Sequence, residues 1–145
     1  MSQTTIFSHS DARFKDAIAT PQVLSHLLKD DGTYPNNEVV PLIVYQGALT
    51  LPERQSAVVF EELFAANHWG GSWRNGVYSF HHYHSKAHEV LGVYGGTAKV
   101  QLGGPQGIVI SAKKGDVIII PAGGAHKNLG SSHDFRIVGA YPRGQ

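Results

Sequence analysis

The sequence predicts an all-β fold, and three observations carry that expectation. Glycine and proline are frequent, with 17 Gly and 7 Pro in 145 residues, and only 16% of residues are charged, which suits short strands punctuated by turns. From Gly76 onward, short apolar stretches follow one another at close spacing: "VYSFHHYH", "EVLGVYG", "TAKVQLG", "GIVISA", "DVIIIPA", "GAHKNLG" and "FRIVGAYP". The separators, "SKAH", "GG", "GGPQ", "KKG", "AGG" and "GSSHD", have hairpin chemistry and are too short for the crossovers of a parallel sheet, so a sandwich or barrel is expected.

The elements follow in order. Residues 1–20 carry few large apolar groups and end at "ATP"; they read as a loose N-terminal arm with a helical turn around 11–18, ahead of a single domain over 21–145. "QVLSHLLK" fits both a helical and an extended period, and its short length before "DDGTYPNN" favours an edge strand. "EVVPLIVYQGAL" is rich in β-branched residues, and Pro41 confines this strand to an edge or a bulge. The one helix is expected over about residues 53–66, with Pro52 at its start and an apolar stripe packed on the outside of a sheet. "HWGGSWRNG" reads as a loop, its indoles covering a barrel end or an interface.

Composition excludes several chemistries. The chain has no Cys, so disulfides, thiolate metal sites and thiol nucleophiles are absent, and any metal must rest on His, carboxylate, carbonyl or water. Charge is nearly balanced, 12 Lys+Arg against 11 Asp+Glu, without a basic run, which gives nucleic-acid binding no support. No apolar run approaches the roughly 20 residues that cross a bilayer, and "MSQTTIFSHSDARFK" lacks a signal-peptide pattern, so a cytoplasmic protein without a membrane partner is expected.

Histidines concentrate in "HHYHSKAHE". On an extended chain Tyr78, Phe80, His82 and His84 share one face, while His81 and Tyr83 share the other. Two imidazoles one residue apart can converge on one ion, yet 9 His in this chain would supply such a pair by chance about half the time. The wider spacing is more specific. Gly76, five residues, His82, one residue, His84, four residues, Glu89, six residues, Gly96 is followed by Gly115, five residues, Pro121, one residue, Gly123, two residues, His126.

These two halves, and their separation from Thr97 to Lys114, resemble the paired signature motifs of the cupin superfamily over Gly76 to Leu129. More narrowly, "WRNGVYSFHHYHSKAHEVLGVY", "GDVIIIPAGGAHKNLG" and "VGAYP" look like the small single-domain YjlB-like cupins. The resemblance implies an antiparallel jelly-roll β-barrel holding one divalent metal through His82, His84, Glu89 and His126. Three neutral imidazoles and a carboxylate suit Fe, Mn, Ni, Co, Cu or Zn without choosing among them. Because the imidazoles must be neutral to ligate, metal loss is expected below about pH 5.

Where cupins commonly carry an asparagine four residues after the last ligand, this chain has Gly130, with Asn128 two residues earlier and in strand parity with His126. Asn128 is therefore a candidate for the cavity lining, with Tyr78, Phe80 and Arg74; a cation at the mouth would orient a carboxylate or phosphate. His81 and His88 are expected outside the ligand set, and Lys127 faces out. Tyr78, His68 and Tyr45 are loose candidates for acid–base chemistry. The functional expectation is a metal-dependent oxygenase acting on a small organic molecule. A non-catalytic ligand-binding or sensing protein and a metal-dependent isomerase or lyase are the alternatives. A homodimer formed through sheet edges near the N-terminus is expected.

Overall fold

A computed structural model describes residues 14–144. Nine strands and one helix follow in the order β1 (Gln22–Leu28), β2 (Asn37–Gln46), α1 (Ser56–Ala66), β3 (Trp69–Asn75), β4 (Glu89–Gly95), β5 (Thr97–Leu102), β6 (Ile108–Lys113), β7 (Val117–Ile120), β8 (His126–Ser131) and β9 (Arg136–Pro142). All strand pairs are antiparallel. They form a six-stranded sheet, β1-β2-β7-β4-β9-β3, and a three-stranded sheet, β6-β5-β8, which is the jelly-roll arrangement expected from the sequence. Among the described residues no helix is long and apolar enough to cross a membrane.

The larger sheet is buried on both faces, which is why its central strands read as continuous apolar runs instead of alternating ones. Leu42, Val44, Leu91, Val93, Ile118, Ile120 and Ile137 point inward, against Ala98, Val100 and Leu102 of the smaller sheet. Their strand neighbours Ile43, Tyr45, Val90, Val117, Ile119, Val138 and Ala140 point outward, against Ala57, Phe60, Leu63 and Phe64 of α1. The helix thus covers the outer face as its apolar stripe requires. It begins at Ser56 and not near 53, because Gln55 is left-handed at φ 57° and a helix cannot run through such a residue; Pro52 lies upstream of the first turn.

The strand expectations hold from β4 to β9, and the "KKGD" hairpin turns at Gly115 with φ 98°. β1 is an edge strand as read. β2 lies inside the sheet, and Pro41 falls in an irregular stretch where pairing with β1 shifts between His26 and Leu28. The arm proves partly anchored: residues 1–13 lie outside the described residues, but Phe14 is buried in the outer core and Ile18 bridges Leu49.

Two further readings need correction. "WGGSWRN" is a strand, β3, paired with β9 through a register shift between Gly70 and Trp73 that admits its glycines. Conversely "VYSFHHYH" is no regular strand. Residues 76–88 form a strap held to its neighbours by separated backbone bonds: Asn128 N–H to Tyr78 O at 2.8 Å, a two-way His82–His126 bridge, and Gly123 N–H to His84 O at 2.8 Å. The register slips on both sides of His82, so no ladder propagates.

Candidate metal centre

Glu89 opens β4 and His126 opens β8, so the two sheets bring these residues face to face at one open end of the sandwich. The strap lays His82 and His84 across that end. His126 Nε2 stands 3.4 Å from Glu89 Oε1, and His84 Nε2 stands 3.7 Å from Glu89 Oε2. The Nε2 atoms of His82 and His84 are 3.2 Å apart, and the His82 and His126 rings meet edge to face at 5.1 Å. Residues 44 positions apart in sequence, from His82 to His126, thus share one small volume.

Electrostatics at this point are set by burial. Glu89 is 2% exposed, its Oε1 accepts no hydrogen bond, and burial raises its pKa to about 7, partly offset by a hydrogen bond from Tyr141. His126, 5% exposed, is pushed down to about 4 by burial, with the neighbouring imidazoles adding to the effect and the Gly124 carbonyl opposing it. His82 is lowered by burial and by His84, and His84 by burial. The cluster therefore favours neutral imidazoles. His126 Nδ1 faces Gly124 O at 3.4 Å, which directs Nε2 toward Glu89.

The donor set fits a divalent ion. At metal–ligand distances of about 2.1 Å, two donors on one ion stand about 3.0 Å apart at adjacent octahedral corners and about 3.4 Å apart at tetrahedral ones. The separations above are close to that range, and an orphaned buried carboxylate oxygen is what a cation would satisfy. The side chains are drawn together by mutual contact, and no three of the described His, Asp and Glu residues already form a ready-made coordination group.

A cavity of about 330 Å³ opens over the cluster. Val77, Leu91, Ile137 and Trp73 supply its apolar wall, and Tyr78, Arg74 and Tyr141 its polar edge. Arg74 lines the mouth as expected, but its guanidinium is engaged by Glu61 of α1 through bonds of 2.6 and 2.8 Å. Phe80 stands outside the lining and stacks on Tyr78 at 4.9 Å, with both rings more than half exposed. Asn128 also stands outside it. Its amide bonds Gly130 N–H at 2.8 Å and Ser131 Oγ at 3.1 Å, where β8 shifts register against β5.

The remaining histidines separate cleanly. His81 packs on Tyr34 at 4.9 Å on the far side of the strap, and His88 Nδ1 accepts Ala122 N–H at 2.8 Å. Tyr45 is buried in the outer core, and His68 ends the turn before β3. Neither lines the cavity.

Sequence reasoning missed the apolar wall of Trp73, Val77, Leu91 and Ile137, and it missed Tyr141. The Tyr141 hydroxyl lies within hydrogen-bond distance of His84 Nε2, at 3.3 Å, and beside Glu89. Burial, then the adjacent Glu89 charge, push its pKa to about 12, with the Trp73 indole N–H pulling the other way. Trp73 reaches this position because Gly139, opposite it on β9, has no Cβ; its ring occupies the space one would fill. The available signal was strand parity in "VGAYP", which puts Tyr141 on the inward face with Ile137.

No protein-family model matches the chain. The uncharacterised protein YjlB of Bacillus subtilis (strain 168) is 42% identical over 120 residues, which span 83% of this chain and 70% of that protein. Among solved structures, a dTDP-4-dehydrorhamnose 3,5-epimerase from Elizabethkingia anophelis is 13% identical, covering 85% of this chain and 74% of its own, at a TM-score of 0.48. A predicted oxalate decarboxylase from Thermotoga maritima is 16% identical, covering 85% and 91%, at 0.41. Neither structural likeness bears on chemistry.

Proposed function

We propose, from the premise that this chain belongs to the family of Bacillus subtilis YjlB, that it is a divalent-metal-dependent oxygenase of the cupin type acting on a small organic molecule. The observation that carries the reading is that His84 and His126 each present Nε2 to an oxygen of the buried Glu89 carboxylate, with His82 Nε2 3.2 Å from that of His84, at the floor of a cavity. Those residues would hold the ion through three neutral nitrogens and one anionic oxygen, a set close to the two-histidine, one-carboxylate sites of non-haem iron oxygenases. A bound ion would supply a Lewis-acidic or redox-active centre facing the cavity.

The chain's own residues supply the rest. Leu91, Ile137, Val77 and Trp73 exclude water from one side of the substrate, and a cavity of about 330 Å³ limits it to a small molecule. Tyr78 and Arg74 stand at the rim, where Arg74 can meet a substrate anion if Glu61 yields its place. The isomerase or lyase alternative gains support from one observation: the Tyr141 hydroxyl keeps its proton inside the cavity and is placed to donate it.

The test is elemental analysis of protein purified without chelator, followed by oxygen consumption by iron-, manganese- and nickel-loaded protein over a panel of diketones, thiols and phenols. Substrate-dependent oxygen uptake is expected for at least one metal. Stoichiometric metal with no uptake across the panel removes the oxygenase reading and leaves ligand binding or isomerisation; absence of metal binding removes both metal-dependent readings.

A further inference from the structure

We infer that Tyr141 is a positioning residue of this centre: its hydroxyl takes one oxygen of Glu89 and thereby presents the other to the ion. The inference rests on the metal-centre reading above. Val90 pairs with Ala140, so continuing the register sets Glu89 and Tyr141 directly opposite on the inner face of β4 and β9. Across that register the Tyr141 hydroxyl and the Glu89 carboxylate are near neighbours. Glu89 Oε1 has no hydrogen-bond partner and faces His126 Nε2 at 3.4 Å.

The hydroxyl also stands 3.3 Å from His84 Nε2, with the two rings edge to face at 5.3 Å. Once that nitrogen's lone pair is committed to an ion, it cannot accept the tyrosine proton, and Glu89 Oε2 is the acceptor that remains. The carboxylate is then held by one oxygen and coordinates by the other. Outer hydrogen bonds of this kind orient ligands, and removing one weakens metal binding by about 10- to 100-fold. Without the hydroxyl, Glu89 is free to turn either or both oxygens toward the ion.

Phenylalanine keeps the ring that meets His84 edge to face, so Tyr141→Phe isolates the hydroxyl. Cobalt(II) is the probe, read by competition with a chromophoric chelator and by the visible spectrum of the loaded protein, with circular dichroism of the chelator-treated form. Expected are a 10- to 100-fold rise in the cobalt dissociation constant, an altered ligand-field spectrum and unchanged circular dichroism. Affinity within twofold of wild type and a superimposable spectrum overturn the inference while leaving the metal centre standing. A Tyr141→Phe chain that does not fold also counts against it, because the hydroxyl is then structural. Failure of the wild type to bind cobalt removes the centre itself, and this inference with it.

Discussion

His82 and His126 exchange backbone hydrogen bonds in both directions, at 3.0 and 2.8 Å, in an isolated bridge between the strap and the start of β8. This bridge fixes two candidate ligands relative to each other through main chain, independently of their side chains. His84 lies two residues further along the strap, and its side chain is about one-third exposed. His84→Ala should therefore remove metal binding at a stability cost of less than about 1 kcal/mol, whereas His81→Ala should leave metal stoichiometry intact. Metal content per chain and urea midpoints of both variants check this.

Acidification should act on metal affinity through Glu89 first. Its pKa near 7 in the metal-free protein means that a proton competes with the ion as soon as pH falls below neutrality, before the lowered imidazoles take part. About one proton should be released per ion bound at pH 6 and almost none at pH 8. Calorimetry in buffers of different ionisation enthalpy measures that number, and loss of the ion is expected below about pH 5.

Metal-free stability should show two opposed titrations. His126 has its pKa depressed to about 4 from 6.5, so the unfolded chain binds the extra proton between those values and stability falls as pH falls. Glu89 has its pKa raised to about 7 from 4.5, so the folded chain binds the extra proton in its window and stability falls as pH rises. The two nearly cancel between pH 4.5 and 6.5. In Glu89→Gln the histidine effect stands alone, and chelator-treated protein should gain about 2–3 kcal/mol across that range; chemical denaturation of both proteins at a series of pH values is the check.

Asn36 deserves a mutation that separates its two roles. It is buried at φ 52°, its Nδ2 donates to Lys29 O at 2.8 Å and Gly103 O at 3.0 Å, and its Oδ1 accepts from Ala125 N–H at 3.1 Å. Asn36→Ala leaves these groups unsatisfied and sets at φ 52° a residue that tolerates the left-handed region less well than asparagine, at a cost of about 2–4 kcal/mol. Asn36→Gly relieves only the backbone part. Because Ala125 precedes His126, both variants should also weaken metal binding, and denaturation alongside cobalt titration reads the two effects.

Self-association is expected at the edge formed by β1, where Leu27 is 59% exposed and Val39 on the adjoining β2 is 86% exposed. A homodimer should sediment at micromolar concentration, and Leu27→Lys should shift it to monomer. A wild-type chain that sediments as a monomer removes the expectation.

Much of this fold is legible because buried strands must be apolar and their turns must be glycine-rich. The stretches from Glu89 to Pro142 satisfy both rules, and their boundaries fall within a few residues of those read from the sequence. Bulges are less visible: Trp69–Asn75 carries Gly70 and Gly71 and alternates poorly, so its pairing with β9 leaves little trace in hydropathy. The strap errs in the other direction. Alternation of aromatic and histidine residues suggests a strand, but backbone bonds at slipped registers prevent one. The spacing of His82, His84, Glu89 and His126 anticipated their convergence. Tyr141 was hidden because its relation to Glu89 exists only through the β4–β9 register, and Asn128 was misjudged because the local shift in β8 consumes its amide.

The strap also bears on how the chain holds itself closed. It joins β3 to β4 without a ladder of its own, and the molecule has no cysteine with which to stitch it down. An ion shared by His82 and His84 above and by Glu89 and His126 below would act as a reversible rivet between a loose segment and both sheets. Loading would then be felt as mechanical closure, with protease cleavage between Gly76 and His88 slowing in proportion to occupancy.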